Sequence, residues 1–248
     1  MRQCQSVRKG RSMGTSLSDL RSWLGSEIAS GDAEIIYGFA ELGTLLPENL
    51  RDTPRGISFA VRMDDALMDS IRTGPHAVYY AEYSRVNALI NALSEKIAMR
   101  IREAGHTATW VHSSERVDFV NIAGAFPHKT GAVKAGLGWI GRSCQLVTRD
   151  FGPRVRLGTV LTDMPLGEEE VVRMRSYCGT CRRCVEACPV GALTGGEWSE
   201  KGKRDDLLDA RSCDNWKKEH YAEFNGMVCG ICTSACPHGK ARPRENRA

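Results

Sequence analysis

The chemistry-bearing residues of this chain are its cysteines. The stretch YCGTCRRCVEACPVGAL, residues 177–193, carries Cys178, Cys181, Cys184 and Cys188 in the order C-x2-C-x2-C-x3-C-P. Thiolates at this spacing hold iron in cubane clusters. The tight loop wraps three corners of a cube, and the cysteine before proline opens a departing segment that reaches a neighbouring site. A second run, GMVCGICTSACP, repeats the pattern at residues 226–237, but Gly226 stands where its first cysteine is expected. By the same geometry Cys236 closes the first cluster and Cys188 belongs to the second. Cys213, in LLDARSCDNW, is the unspent cysteine nearby. The expected clusters are therefore Cys178, Cys181, Cys184, Cys236 (cluster A) and Cys188, Cys213, Cys229, Cys232 (cluster B). Paired CxxC motifs also bind zinc, but two interleaved runs ending in Cys-Pro favour two [4Fe-4S] clusters. Four thiolates on each cube leave no open iron, so these clusters are expected to carry electrons rather than bind substrate. Cys4 and Cys144 stand apart; Cys144 reads as a small core residue at the start of a strand.

Composition sets the frame for these ligands. The chain has 248 residues, 42% hydrophobic and 26% charged, which fits a globular protein of one large domain or a domain with an appended module. The net charge is +4, and residues 1–170 balance at 20 basic and 20 acidic side chains. The excess lies in residues 171–248, with 14 basic against 10 acidic. Oxidised cubanes with four thiolates carry about −2 each, and nearby cations offset that charge. The basic balance is thus weak evidence for nucleic acid, although the tail HGKARPRENRA could meet an RNA backbone. No apolar run reaches the length of a membrane span, and the basic start lacks the apolar segment of a secretory signal. Residues 1–15 are expected to form a flexible leader.

The elements that must position the cysteines are legible from periodicity. Ser16 or Ser18 caps a helix that places Leu20, Leu24 and Ile28 on one face. AEIIYGFAEL and GISFAVRM read as strands. Val86, Leu89, Ile90, Leu93, Ile97 and Ile101 mark a long helix over 83–106, ended by Gly105. TATWV, QLVTRD and VRLGTVLTDM read as further strands, the last two joined by the turn FGP. PHKTGAVKA is more helical than strand-like. The expected organisation is a leader over 1–15, an α/β core over 16–165, a double-cluster module over 171–240 and a basic tail over 241–248.

The segment AGLGWIGRS contains Gly136, Gly138 and Gly141 in a formal G-x-G-x-x-G. It lacks the preceding apolar strand and following helix that a dinucleotide fold requires. Taken in order, KAGLGWIGRSCQLVTRDFGPRVRLGTVLTDMPL, CGTCRRCVEACPVGAL, the isolated RSC and CGICTSACP resemble the epoxyqueuosine reductase family, which shares its core with the reductive dehalogenases. The resemblance spans roughly residues 30–240. It implies a nitroreductase-like α/β core that binds cobalamin, followed by a ferredoxin-like double [4Fe-4S] module. It also implies an enzyme that passes electrons through the clusters to cobalt to reduce a small molecule or modified tRNA. The family's glycine-rich loop points to Gly136, Leu137, Gly138, Trp139, Ile140 and Arg142 as cobalamin contacts. The family's aspartate proton donor has no counterpart: its position falls near Ile122, with Asp118 the nearest acid. His128 is therefore the candidate donor, since imidazole titrates near neutrality. Tyr79, Tyr80 and Tyr83 are other possible acids. The resemblance further implies a cytoplasmic, membrane-free setting and a reduced ferredoxin or flavodoxin-type electron donor. The other reading is a protein that only transfers electrons, for example to a corrinoid protein.

Overall fold

The computed structural model describes residues 16–167 and 174–239. The leader, Cys4, part of the polar linker and the basic tail lie outside the described residues. Helix α1 (Leu17–Ala29) begins with a capping box: Ser16 Oγ accepts from the Asp19 amide at 3.2 Å, and Asp19 accepts from the Ser16 amide at 2.9 Å. Four antiparallel strands follow in the spatial order β1 (Ile35–Glu41), β2 (Arg55–Arg62), β6 (Val155–Thr162), β3 (Ala108–Val111). The central strand β2 is buried on both faces. Ile57, Phe59 and Val61 alternate toward α1 and the long helix α3, while Ala60 faces the opposite layer.

Helix α3 runs from Ala77 to Glu103, starting earlier than the periodicity alone places it. His76 supplies the cap, its Nδ1 accepting from the Tyr79 amide at 3.3 Å. This extension puts Tyr79 and Tyr83 on one helical face, one turn apart. A short helix, α2 (Asp65–Ser70), is fixed by Arg154, which is 1% exposed and bonds Asp65 and Asp69.

The other face of the sheet carries α4 (His128–Lys134). Gly131 permits the close approach, since a Cβ there would fall 2.8 Å from Ser58 Oγ. Strands β4 (Gly138–Ile140) and β5 (Leu146–Thr148) then form a separate two-stranded ribbon. The segments expected as consecutive strands around FGP thus belong to different sheets: β5 pairs with β4, and β6 returns to the centre of the main sheet.

The cysteine-rich part contributes α5 (Arg183–Glu186), α6 (Ala210–His220) and α7 (Ile231–Ser234), with α5 packed on α7. Its Cys184, Leu193 and Leu207 share one hydrophobic cluster with Ala132, Ile140 and Leu146. Among the described residues no helix is long and apolar enough to cross a membrane.

Candidate functional site

Three cavities lie in series along the segment Gly141–Leu146. Cys178, Cys181, Cys184 and Cys236 line the first, together with Gly141, Arg142 and Ser143. Cys188, Cys213, Cys229 and Cys232 line the second, of about 200 Å³, with Ser143 on the wall common to both. Gln145 and Arg156 line both the second cavity and a third of about 610 Å³.

Local sequence explains this arrangement. Each Cys-Pro pair ends a one-turn helix, because the residue before proline is driven out of helical backbone. Cys188 leaves α5 for the second cavity, and Cys236 leaves α7 for the first. Cys213 sits on α6, whose next residue is anchored: Arg116 grips Asp214 at 2.6 and 3.1 Å, and Lys218 adds a bond at 2.7 Å. Arg116 holds the Asp214 carboxyl far below the usual carboxylate range despite its burial, with Lys218 and Lys217 assisting. This ion group ties the loop after β3 to the helix bearing Cys213.

Burial, then the charge of neighbouring thiols, pushes Cys232 up to about 12 and Cys236 up to about 11. Cys184, Cys213 and Cys229 are raised as well, chiefly by burial. Thiolates crowded in this way require the compensating charge of bound iron. Among the described residues no three His, Cys, Asp or Glu side chains converge on a single metal-ion position; each thiol quartet instead surrounds a void. Buried N–H groups without a partner occur on the walls of both thiol cavities, at Arg142 and at Trp216. Arg142 Nε is unbonded, although its Nη atoms donate to the Gly195 and Gly179 carbonyls and to Glu197. A cluster sulfur is the acceptor such a donor fits. The residues present therefore suit iron–sulfur clusters.

The glycine-rich stretch lies beside the first thiol quartet. None of Gly136, Leu137, Gly138, Trp139, Ile140 and Arg142 lines the large cavity. Gly138 is pressed on β5, where a Cβ would meet the Val147 carbonyl oxygen at 2.2 Å. Gly141 backs the first thiol quartet, with Cys178 Sγ 3.4 Å from its missing Cβ. Trp139 is 5% exposed and packs edge-on against Tyr177 and His238. These glycines serve close backbone packing beside the cysteines.

His128 lies on the wall of the large cavity. Its Nδ1 pairs with Thr159 Oγ1 at 2.9 Å and its Nε2 meets the His112 carbonyl at 3.4 Å. The ring keeps some accessible surface at the cavity wall but is enclosed by protein on its other sides. Burial pulls its pKa down to about 4, Arg156 adding to the shift. Asp118 is ionised: it accepts from the Val120 and Asn121 amides at 2.9 and 2.8 Å, and its pKa is lowered by the bonds to Asn121.

A tyrosine pair supplies the contrast. Burial pushes Tyr79 up to about 12. Tyr83 feels the same burial, but Arg156 and hydrogen bonds from Ser114 and Asn87 outweigh it and hold the phenol below its ordinary value of 10. Tyr83 Oη and Ser114 Oγ are 2.8 Å apart, and Arg156 also donates to both Ser114 and Asn87. Two like groups pushed in opposite directions are the usual mark of divided acid–base roles. Sequence reasoning missed Arg156, Ser114 and Gln145. Arg156 left one signal, a cation inside the apolar strand VRLGTVLT.

The large cavity has an apolar lining of Phe126, Leu146 and Leu157, with Asn121, Lys203 and Arg204 also on its wall. Apolar side chains for a macrocycle face, with polar side chains for peripheral amides, are the chemistry a corrinoid site takes.

Comparison with known proteins agrees with this geometry. Residues 177–239 match the 4Fe-4S double cluster binding domain. A tetrachloroethene reductive dehalogenase of Desulfitobacterium hafniense is 25% identical over 228 residues, covering 88% of this chain and 39% of the relative. An epoxyqueuosine reductase of Leadbetterella byssophila is 33% identical over 127 residues, covering 46% of this chain and 38% of the relative. The chain is a divergent relative of both. Its C-terminal module is a double [4Fe-4S] domain on a mixed α/β core. The solved structure of a reductive dehalogenase, reported with a mechanism for B12-dependent dehalogenation, superposes with a TM-score of 0.64 at 18% identity, covering 97% of this chain and 34% of that one. The chain spans about two fifths of the length of the curated relatives it matches.

Proposed function

We propose that the chain is an iron–sulfur reductase in which cluster A, held by Cys178, Cys181, Cys184 and Cys236, feeds cluster B, held by Cys188, Cys213, Cys229 and Cys232, and cluster B feeds a corrinoid seated in the large cavity. The observation that carries this reading is the shared wall: Gln145 and Arg156 border both the second thiol quartet and the cavity. Bound cobalamin would supply a strongly reducing, nucleophilic metal centre. Phe126, Leu146 and Leu157 would take its face, and Asn121, Lys203 and Arg204 its peripheral amides. Cleavage of a carbon–halogen bond takes two electrons, delivered singly by the clusters, and one proton, and releases halide; cleavage of a carbon–oxygen bond takes a second proton, from solvent, on the oxygen that leaves. Tyr83 holds the first proton at Oη, and Arg156 stabilises the phenolate left behind. The substrate class proposed is an organic molecule with an activated carbon–halogen or carbon–oxygen bond, processed in the cytoplasm.

Anaerobic reconstitution with iron and sulfide in the presence of cobalamin tests this reading. Stoichiometric corrinoid co-purifying with a full iron complement is the expected result. Full iron loading with no corrinoid retained at micromolar supply overturns it and leaves the electron-transfer reading.

A further inference from the structure

The loop of the first quartet reaches the surface: Cys184 and Cys236 are buried, while Cys178 and Cys181 are part-buried and their neighbours Gly179 and Thr180 are exposed. Around these two cysteines the sequence RSYCGTCRR, residues 175–183, holds three arginines and no acid. Arg175, Arg182 and Arg183 are exposed. Tyr177, 56% exposed, stands beside Cys178, with Arg175 over its ring at 5.5 Å and Trp139 against it at 5.2 Å. Glu197 is already engaged by Arg142 at 2.7 Å, and the next acid along the chain after this loop is Glu186.

An exposed aromatic with three exposed arginines on a loop that carries redox ligands is the surface expected to meet an acidic protein. We propose that Arg175, Tyr177, Arg182 and Arg183 form the electron-uptake face, and that its partner is a small acidic ferredoxin, docked with its own cluster toward Cys178 and Cys181. The proposal rests on the assignment of cluster A above, and it is independent of the corrinoid and of the substrate. Electrons move one at a time: the reduced ferredoxin is oxidised, cluster A is reduced, and no bond is made or broken. Long-range attraction between opposite charges raises the encounter rate and is weakened by salt.

The test is stopped-flow reduction of the iron-loaded chain, followed by bleaching of cluster absorbance, with a reduced acidic bacterial ferredoxin as the probe. For the unaltered chain the second-order rate should fall steeply as ionic strength rises. A salt-independent rate overturns the proposal. The double variant Arg175→Glu, Arg183→Glu should lose at least about tenfold in rate at low salt and converge on the unaltered chain at high salt. Reduction by photoreduced deazaflavin, a small non-protein donor, should stay unchanged. Lys96→Glu serves as control, since Lys96 is an exposed cation of the α/β core that pairs with Glu27 of α1; equal loss in this variant overturns the assigned face. Iron content of each variant is measured first, so failure of the cluster assignment shows as missing iron and is distinct from failure of docking.

Discussion

Arg156 lies with its guanidinium 4.2 Å from the centre of the Tyr83 ring and donates from Nη2 to Tyr83 Oη at 3.3 Å. Arg156 lines both the second and the third cavity, Tyr83 lines the second, and Ser114, the hydrogen-bond partner of its hydroxyl, lines the third. As a proton donor Tyr83 must be protonated, and turnover should therefore fall as pH rises through a value below 10. Tyr83→Phe should remove that limb and lower turnover on the order of a hundredfold or more, with iron and corrinoid content retained. The pKa itself is accessible without a substrate. With 13Cζ-labelled tyrosine, one resonance should titrate below 10 and be absent from Tyr83→Phe. A resonance that titrates at or above 10 would remove Tyr83 as the donor.

Cys213 is the proposed ligand drawn from outside either run, and it lines the cavity shared with Cys188, Cys229 and Cys232. Cys213→Ser should therefore cost one cluster selectively, with iron falling to about half and the signal of cluster A kept. Unchanged iron with both reduced signals present would show that another residue completes the second cluster. Loss of both would show that the two sites fold as one unit.

The positions of these cysteines were readable because ligand chemistry fixes spacing, and Cys-Pro fixes where a segment departs. The long helix and the two central strands were readable because their apolar residues recur at the period of their own backbone. Gly136, Gly138 and Gly141 were less legible for a physical reason. A glycine reports that something comes close, and the sequence does not say whether that neighbour is a ligand or, as at Gly138, the chain's own Val147 carbonyl. The surroundings of His128 were equally hidden, since an imidazole's usefulness as an acid depends on burial and partners that only the packing of α4 against β6 supplies. Ser114 and Gln145 act through where the fold brings them, and neither carries a local pattern.

Arg142 offers a test of the glycine-rich segment. Its Nε–H is buried without a partner at the wall of the first quartet's cavity. Hydrogen bonds and positive charge at cluster sulfurs raise the reduction potential. Arg142→Gln should lower the midpoint potential of cluster A in an EPR-monitored redox titration and leave that of cluster B in place. Corrinoid binding should be retained, because Arg142 does not line the large cavity. An unchanged cluster A potential would mean that the guanidinium serves only to brace Gly179 and Gly195.

His128 ties stability to pH with a definite sign. An unfolded chain's imidazole takes up its proton near 6.5, the folded one near 4. Between those values only the unfolded state binds the proton, so the contribution is fully present above about 6.5 and is lost as pH falls toward 4. The slope in that window is at most about 1.4 kcal/mol per pH unit for one proton. The groups facing the ring are Arg156, the Thr159 hydroxyl and the His112 carbonyl, and a positive charge on His128 would meet the first of these unfavourably. Thermal midpoints of the iron-loaded chain should therefore fall between pH 7 and 5, and His128→Asn, which keeps a polar atom for Thr159 and removes the titration, should show a flatter profile. Parallel profiles for the two chains would assign the acid sensitivity to other groups and place the folded His128 pKa near its ordinary value.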